Sequence, residues 1–200
     1  MTSIESVILE TPDVAGTEAF YAAVGLDDKV SVRPTEDITS GFRGYTLSLV
    51  ATQPANVDAL FNAAVEAGAK VLKPASKSFW GYGGVVQAPD GAIWKMASSS
   101  KKNTEPASKQ VTDTVLLLGV EDVAATKKFY VGKGLSVAKS FGSKYVEFES
   151  NGNVKLALYG RKALAKDAGV PVEGNGSHRI VISSSAGTFA DPDGFAWESA

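Results

Sequence analysis

Two stretches of the chain combine a tight turn with a side chain that could do chemistry. Ala88-Pro89-Asp90-Gly91-Ala92-Ile93-Trp94-Lys95 ends in a lysine, and Asp191-Pro192-Asp193-Gly194-Phe195-Ala196-Trp197-Glu198 ends in a glutamate. Pro, Asp and Gly suit successive positions of a β-turn, so each stretch predicts a turn that leads into a strand. Neighbouring side chains of a strand point to opposite faces. If the tryptophans face helices, we therefore expect Lys95 and Glu198 to face a cavity.

The reactive side chains limit the chemistry that is available. The chain has one histidine, His178, and no cysteine. The sequence therefore excludes disulfides, thiolate metal sites and cysteine nucleophiles, and it fits a reducing compartment. A single histidine also excludes a two-histidine, one-carboxylate metal site within one chain. There is no Ser-His-Asp spacing or nucleophile elbow, and no P-loop lysine follows Gly81-Tyr82-Gly83-Gly84.

The composition predicts a cytoplasmic, soluble protein of one large or two small domains. The 200 residues include 20 basic and 22 acidic side chains, so the charges nearly cancel. Without a basic run or interleaved aromatic residues, we expect no nucleic-acid partner. No apolar run reaches membrane length and the N-terminus lacks the pattern of a signal peptide, so we expect no membrane partner.

The two turns belong to a longer internal repeat. A strand at 6–11 precedes a helix over about 14–24, which Asp13 caps and Gly25 ends, and the same order returns from residue 116. Six pairs match in one register: Asp13/Asp122, Val14/Val123, Ala15/Ala124, Thr17/Thr126, Phe20/Phe129 and Tyr21/Tyr130. We expect Phe20 and Tyr21 to pack their helix against a sheet rather than to contact a ligand.

The repeat divides the chain into two halves. Residues 1–98 form the first and residues 111–200 the second, with a polar, proline-containing linker at 99–110. The first half keeps a second helix, which we expect Asn56 to cap. The second half is shortened and lacks one helix, because too few residues separate the strand that starts at His178 from the last turn.

This order of elements resembles the vicinal oxygen chelate superfamily, which includes glyoxalase I, the bleomycin- and fosfomycin-resistance proteins and the extradiol dioxygenases. The resemblance is carried by the Asp-capped helix with Phe-Tyr, the Gly-Leu pair that follows it, and the closing Asp-Pro-Asp-Gly-x-x-Trp-Glu. It implies an α+β fold in which paired βαβββ modules form curved mixed β-sheets around a concave cavity, with the helices on the outside. In members that use a metal, the cavity holds a divalent ion on side chains from the first strand of a module and from the strand after the turn.

The resemblance places metal-site positions in two sets: Ser6, Tyr45 and Lys95 in the first half, and Val115, His178 and Glu198 in the second. The first set offers a hydroxyl, a phenol and a cation, so it implies no divalent ion. In the second set Val115 replaces one ligand, and a metal on His178 and Glu198 would need a third ligand, a carboxylate such as Glu10. We expect no cofactor, with this divalent metal as the alternative. A further alternative is that His178 hydrogen-bonds locally and Glu198 is solvated.

Aromatic residues and a lysine indicate a small organic ligand. The run from Phe79 to Gly84 predicts a glycine-rich loop whose rings could cover a planar molecule, although they could equally pack on the sheet end. Lys95 could hold a carboxylate, enolate or phenolate, pair with Glu10, or reach solvent. The candidate ligand-binding residues are Ser6, Tyr45, Phe79, Trp80, Tyr82, Lys95 and His178, and the candidate catalytic residues are Glu198, Glu10 and Lys95.

Three functions remain open at this point. The first is a metal-free protein that binds a small molecule, as resistance proteins do. The second is a glyoxalase-like or dioxygenase-like enzyme with a metal at His178 and Glu198. The third is a metal-free isomerase or lyase in which Glu10, Glu198 or His178 moves a proton while Lys95 stabilises an enolate. Because the shortened half should leave a sheet edge uncovered, we also expect a homodimer or close packing of the two halves.

Overall fold

Two mixed sheets, a two-stranded antiparallel ribbon and four helices are the regular elements of the described part of the chain, residues 2–200, in a computed structural model. The helices are α1 (Val14–Val24), α2 (Pro54–Glu66), α3 (Val123–Gly132) and α4 (Arg161–Ala168). The strands are β1 (Ile4–Thr11), β2 (Val30–Pro34), β3 (Thr39–Gly41), β4 (Tyr45–Val50), β5 (Lys70–Ser78), β6 (Gly81–Gln87), β7 (Ile93–Ser98), β8 (Asp113–Val120), β9 (Val137–Phe141), β10 (Tyr145–Phe148), β11 (Lys155–Gly160), β12 (Gly174–Gly176), β13 (Ile180–Ser184), β14 (Phe189–Ala190) and β15 (Ala196–Ser199). The α+β class is confirmed, and neither sheet of the described residues closes into a barrel.

The repeated helix starts form as their sequence predicts. The Asp13 side chain accepts a hydrogen bond from the Gly16 backbone N–H at 3.0 Å. The Asp122 side chain accepts one from the Ala124 N–H at 2.9 Å. Gly25 ends α1 with a φ of 83°, in the left-handed region that favours glycine. The predicted bounds of α1 are therefore confirmed, because both ends rest on local chemistry.

The eight-stranded sheet contains two complete βαβββ modules. Its strand order is β5-β6-β7-β4-β8-β11-β10-β9. In the module β4-α2-β5-β6-β7 the first strand runs parallel to the last, and the same holds for β8-α3-β9-β10-β11. The two modules meet where β4 and β8 pair antiparallel. The predicted pairing of βαβββ modules is thus confirmed, and it occurs within one chain.

The five-stranded sheet joins the two ends of the chain. Its order is β14-β15-β13-β1-β2, with β1 antiparallel to β13. Within the described residues, no helix follows β13, which is where the second half was predicted to lack one. Each sheet therefore mixes strands from residues 1–98 with strands from residues 111–200. The division into two halves follows the repeat in the sequence. Strand pairing divides the chain differently, because residues 45–160 supply the eight-stranded sheet and the two ends of the chain supply the five-stranded sheet.

One large apolar core joins the two sheets through α1, α2 and α3. It includes Leu9 of the five-stranded sheet, Leu47 and Trp94 of the eight-stranded sheet, and the helix residues Tyr21 and Tyr130. Tyr21 and its neighbour Phe20 are both buried, as expected for residues that pack a helix on a sheet. Both repeated tryptophans lie in this core, so the strand residues next to them face away from it.

Helix α4 lies on the opposite face of the eight-stranded sheet. Leu164 and Ala165 of α4 pack in a separate cluster with Val85 and Ile93. Those two strand residues alternate with Val86 and Trp94 of the large core, so they point to the other face. The sequence from Lys162 to Asp167 predicts a short helix, but the resemblance placed all helices outside the sheet. Instead, α4 covers part of the face that the resemblance assigns to the cavity.

The linker is anchored along α2. Residues 99–110 contain no helix or strand. The Gln53 Nε2 donates to the Glu105 carbonyl oxygen at 2.8 Å, and the Asn56 Oδ1 accepts from the Ser108 N–H at 2.9 Å. The prediction that Asn56 caps α2 is wrong, because the helix begins at Pro54, which needs no N–H partner at a first turn. Across the described residues, each helix is too short or too polar to cross a membrane.

Candidate functional site

A row of four side chains crosses the middle of the eight-stranded sheet on the face that carries α4, which we call the open face. Ser48 of β4 is in register with Lys95 of β7 and with Val115 of β8, and Val115 is in register with Lys155 of β11. Residues in register on adjacent strands share a face. Lys95 thus faces away from the core, as strand alternation predicted, and the row presents two ammonium groups, those of Lys95 and Lys155.

Lys95 is bound to the end of α4. Its Nζ lies 2.8 Å from the Asp167 Oδ2, and the two side chains are 36% and 42% exposed. Lys73 of β5 holds the same helix end, because its Nζ donates to the carbonyl oxygens of Lys166 at 2.9 Å and of Asp167 at 2.6 Å. Cations are favoured at a helix C-terminus, where backbone carbonyls are left unpaired. The two lysines therefore fix α4 on the open face.

A hollow of about 310 Å³ lies between this helix end and the β5–β6 hairpin. We call it the open-face pocket. Trp80, Asp167, Lys95 and Gly83 are among the residues that line it. The Trp80 side chain is 84% exposed, so its ring is free to contact a molecule in the pocket. The structure therefore brings together three of the residues predicted to bind a ligand, Lys95, Trp80 and Tyr82.

The predicted aromatic loop is a hairpin with a two-residue turn. Phe79 and Trp80 form the turn between β5 and β6. Tyr82 borders the open-face pocket, but its hydroxyl donates to the Asp58 carboxylate of α2 at 2.7 Å, on the other side of the sheet. Gly84 allows close packing, since a Cβ there would lie 2.6 Å from the Phe61 ring. Gly84 thus serves the contact between sheet and helix, whereas a Cβ at Gly83 would lie 2.8 Å from the Met96 carbonyl oxygen of β7.

The two predicted catalytic carboxylates meet on the five-stranded sheet, around an arginine that the sequence did not single out. The Arg33 guanidinium lies 2.9 Å from the Glu10 Oε1 and 3.0 Å from the Glu198 Oε2. The hydrogen bonds that Arg33 donates to the Glu10 and Glu198 carboxylates raise its pKa. Ser6 and Glu198 are both in register with Ser183, so they share this face. Only strand register puts Arg33 beside Glu10, which is why spacing in the sequence did not reveal it.

His178 and Tyr45 are not among the residues that line the open-face pocket, and neither is hydrogen-bonded to Arg33. His178 precedes β13 instead of starting it, with its Nδ1 2.6 Å from the Arg43 carbonyl oxygen and its Nε2 3.0 Å from the Asp193 carbonyl oxygen. Its ring stacks on Phe195 at 3.9 Å. Tyr45 is 2% exposed and faces the large core, where burial raises the pKa of its phenol. The Tyr45 side chain is therefore not on the open face.

The residues at the positions implied by the resemblance do not fit a divalent ion. Both ring nitrogens of His178 face backbone carbonyls, and the Glu198 carboxylate is bound to Arg33. On the eight-stranded sheet the corresponding row presents two lysines and Val115. Within residues 2–200, His, Asp and Glu side chains form no group of three that could hold a metal. Ser6 and Lys95 of the first predicted set lie on different sheets, and so do Val115 and Glu198 of the second, so neither set stays together.

Comparison with known proteins identifies the fold. No family model matches the sequence, and no curated protein matches it. Among solved structures, glyoxalase I from Zea mays is similar over 98% of this chain and 91% of its own, with a TM-score of 0.61 and 13% identity. A putative dioxygenase from Bacillus subtilis is similar over 90% of this chain and 69% of its own, with a TM-score of 0.55 and 13% identity. The chain therefore has the fold of glyoxalase I and of this dioxygenase, as the sequence resemblance predicted.

Proposed function

We propose that the protein binds a small, planar organic anion in the open-face pocket and needs no metal to do so. The observation that carries the proposal is the position of Lys95. Lys95 lines a hollow of about 310 Å³ that the exposed Trp80 also lines. A fixed cation and a flat apolar surface are the two features that an aromatic carboxylate or phenolate requires.

The ion pair with Asp167 leaves Lys95 available to a ligand. Both side chains are more than one-third exposed, and exposed ion pairs are worth only about 0–1 kcal/mol. A ligand carboxylate can replace the Asp167 carboxylate at the ammonium group with little net loss. Its ring would then lie against Trp80. The size of the pocket limits the ligand to a molecule near the lower end of the usual range for ligand sites.

The enzyme alternatives have less support from the geometry. A metal-free isomerase needs a base beside the bound ligand, but Glu10 and Glu198 lie on the other sheet and both contact Arg33. Among the residues that line the open-face pocket, the carboxylate is that of Asp167, which pairs with Lys95. A glyoxalase-like or dioxygenase-like reaction would need a metal at donors that do not converge.

Tryptophan fluorescence tests the proposal directly. Trp80 is exposed, whereas Trp94 and Trp197 are 1% and 2% exposed, so quenching by a ligand at the pocket reports on Trp80. Titration with benzoate should quench the emission of the wild type, and Trp80→Phe should abolish that response. Lys95→Met should weaken benzoate binding about tenfold, since a hydrogen bond between charged groups is worth about 1.5–3 kcal/mol.

The matched control is Lys155→Met, which removes the other ammonium group of the same row. It should leave benzoate binding unchanged, and benzyl alcohol, which lacks the carboxylate, should bind weakly to the wild type. Equal effects of the two lysine substitutions would contradict the proposal. Removal of divalent ions with EDTA should not change the dissociation constant for benzoate, and a loss of binding would show that a metal takes part.

A further inference from the structure

A second hollow lies at the other end of α4. We call it the ribbon pocket, because the two-stranded ribbon of β3 and β12 forms one wall. Its volume is about 530 Å³, and its other walls come from the start of α3 and from the second Pro-Asp-Gly turn. Arg161 and His178 line it. The ribbon pocket shares none of its lining residues with the open-face pocket, so it is a separate candidate site.

The guanidinium of Arg161 is only partly used by the protein. Its Nη2 donates to the Phe42 carbonyl oxygen at 2.9 Å and approaches the Val172 carbonyl oxygen at 3.5 Å. The group also lies over the Phe42 ring, 5.2 Å from its centroid. Within residues 2–200, the Nη1 and Nε groups of Arg161 donate to no protein acceptor. A guanidinium that is fixed on one side and free on the other is a suitable donor for an oxyanion.

Two glycines, Gly44 and Gly119, leave the space that the Arg161 side chain and its backbone occupy. A Cβ at Gly44 would lie 2.5 Å from the Arg161 Nη1 and 3.5 Å from the His178 Cε1. Gly44 also has a φ of +84°, which other residues rarely adopt. At Gly119 a Cβ would lie 3.2 Å from the Arg161 Cα. Bare backbone at these two positions brings Arg161 and His178 next to one another at the pocket.

The carboxylates in the wall restrict the kind of anion. Asp193 uses both oxygens on protein donors, the Glu121 N–H at 2.8 Å and the Thr126 hydroxyl at 2.8 Å. Asp122 caps α3, and the exposed Glu121 side chain stands at the rim. These negative charges oppose a dianion more strongly than a single carboxylate. We propose that the ribbon pocket binds, through Arg161, a small carboxylate whose remaining part is neutral or positively charged.

The single histidine of the chain provides the test. His178 gives the one histidine Cε1–H resonance in the proton spectrum, and that atom lies at the pocket beside Arg161. At constant pH, acetate and glycine should shift this resonance in a saturable manner, and inorganic phosphate at the same concentration should shift it less. Arg161→Gln should weaken acetate binding about tenfold, and Arg161→Lys, which keeps the charge without the fork, should have an intermediate effect.

Lys162→Gln is the matched control, because it removes a positive charge one residue away on the exposed side of α4. It should leave the acetate response unchanged. The proposal is overturned if neither acetate nor glycine moves the His178 resonance, or if Arg161→Lys and Arg161→Gln respond to acetate as the wild type does. Quenching of Trp80 by benzoate is a separate readout, so the failure of either site is distinguishable from the failure of the other.

Discussion

Tyr21 and Tyr130 occupy equivalent places in the repeat, and each donates to an acidic side chain of the turn in its own half. The Tyr21 hydroxyl donates to the Asp90 Oδ2 at 3.0 Å and accepts from the Trp94 Nε1 at 3.1 Å. The Tyr130 hydroxyl donates to Asp191. Asp90 follows the proline of its turn, whereas Asp191 precedes it. The two halves thus keep the same contact between helix and turn with different acceptors.

Removal of the Tyr21 hydroxyl should destabilise the protein. Tyr21→Phe leaves the buried Trp94 N–H without its acceptor and takes a donor from Asp90, so we expect the free energy of unfolding to fall by about 1–3 kcal/mol. Urea unfolding measures this change. Tyr82→Phe is the matched control, since its partly exposed hydroxyl also donates to an aspartate, and it should cost under about 1 kcal/mol. Similar losses in the two variants would show that burial of the bond is unimportant.

The buried turn aspartates predict a dependence of stability on pH. Burial raises the pKa of Asp191 above the ordinary value of 3.8. The folded state then keeps a proton that the unfolded state has lost, so this group contributes stability below pH 3.8 and loses that contribution as the pH rises through its folded pKa. The difference in unfolding free energy between the wild type and Asp191→Asn should therefore fall as the pH rises from 3.8. A difference that is constant with pH, or that grows, would contradict this assignment.

The orientation of Lys95 and Glu198 could be predicted from the sequence, but their partners could not. Alternation along a strand is a local rule, and the buried tryptophans confirm which face each strand turns to the core. Asp167 and Arg33, in contrast, reach these residues from distant elements. Their positions depend on where α4 and β2 lie in the fold, and residue spacing in the sequence does not predict this.

At the scale of elements, α4 decides how the open face is used. A short helix in this region was predictable from residues 162–167, because helix formation is largely a local property. Its location was not, because an apolar stripe such as that of Leu164, Ala165 and Ala168 fits either face of a sheet. The aromatic hairpin was predicted less well. Its glycines suggested a loop, whereas Gly84 lies in a strand and is needed for contact with α2.

Neutralising Asp167 should strengthen ligand binding. Asp167→Asn removes the carboxylate that competes for Lys95, so we expect benzoate to bind more tightly while the free energy of unfolding changes by less than about 1 kcal/mol. Trp80 fluorescence measures the first quantity and urea unfolding the second. Asp113→Asn provides the comparison, because Asp113 pairs with Lys155 at 2.7 Å with similar exposure. It should leave benzoate affinity unchanged. Weaker benzoate binding in Asp167→Asn would show that Asp167 contacts the ligand itself.

At the scale of the whole molecule, the pairing of β4 with β8 and of β1 with β13 makes the two halves interdependent. The repeat itself was visible in the sequence, but repeats do not reveal which copies share a sheet. A homodimer stays a prediction, and the edge strands β5 and β9 are the places where a second copy could pair.

Cutting the linker should leave the fold intact. Residues 101–110 are exposed and contain no helix or strand, so a protease site introduced there should be cleaved without loss of the near-ultraviolet circular dichroism of the buried tryptophans. Because both sheets need both pieces, unfolding of the cut protein should become dependent on protein concentration. Pieces that separate and keep their own folded signals would contradict the shared sheets. The uncut protein gives the reference midpoint.

The position of α4 limits the shape of a ligand in the open-face pocket. Asp167 at the end of α4, Trp80 of the hairpin turn and Lys95 all line the open-face pocket, so a molecule bound at Lys95 would lie between α4 and the hairpin. We expect flat aromatic acids to fit there, whereas bulky or branched acids would have to displace α4, which Lys73 and Lys95 hold in place. The pocket would then select ligands by their thickness and their negative charge, and not by any other functional group.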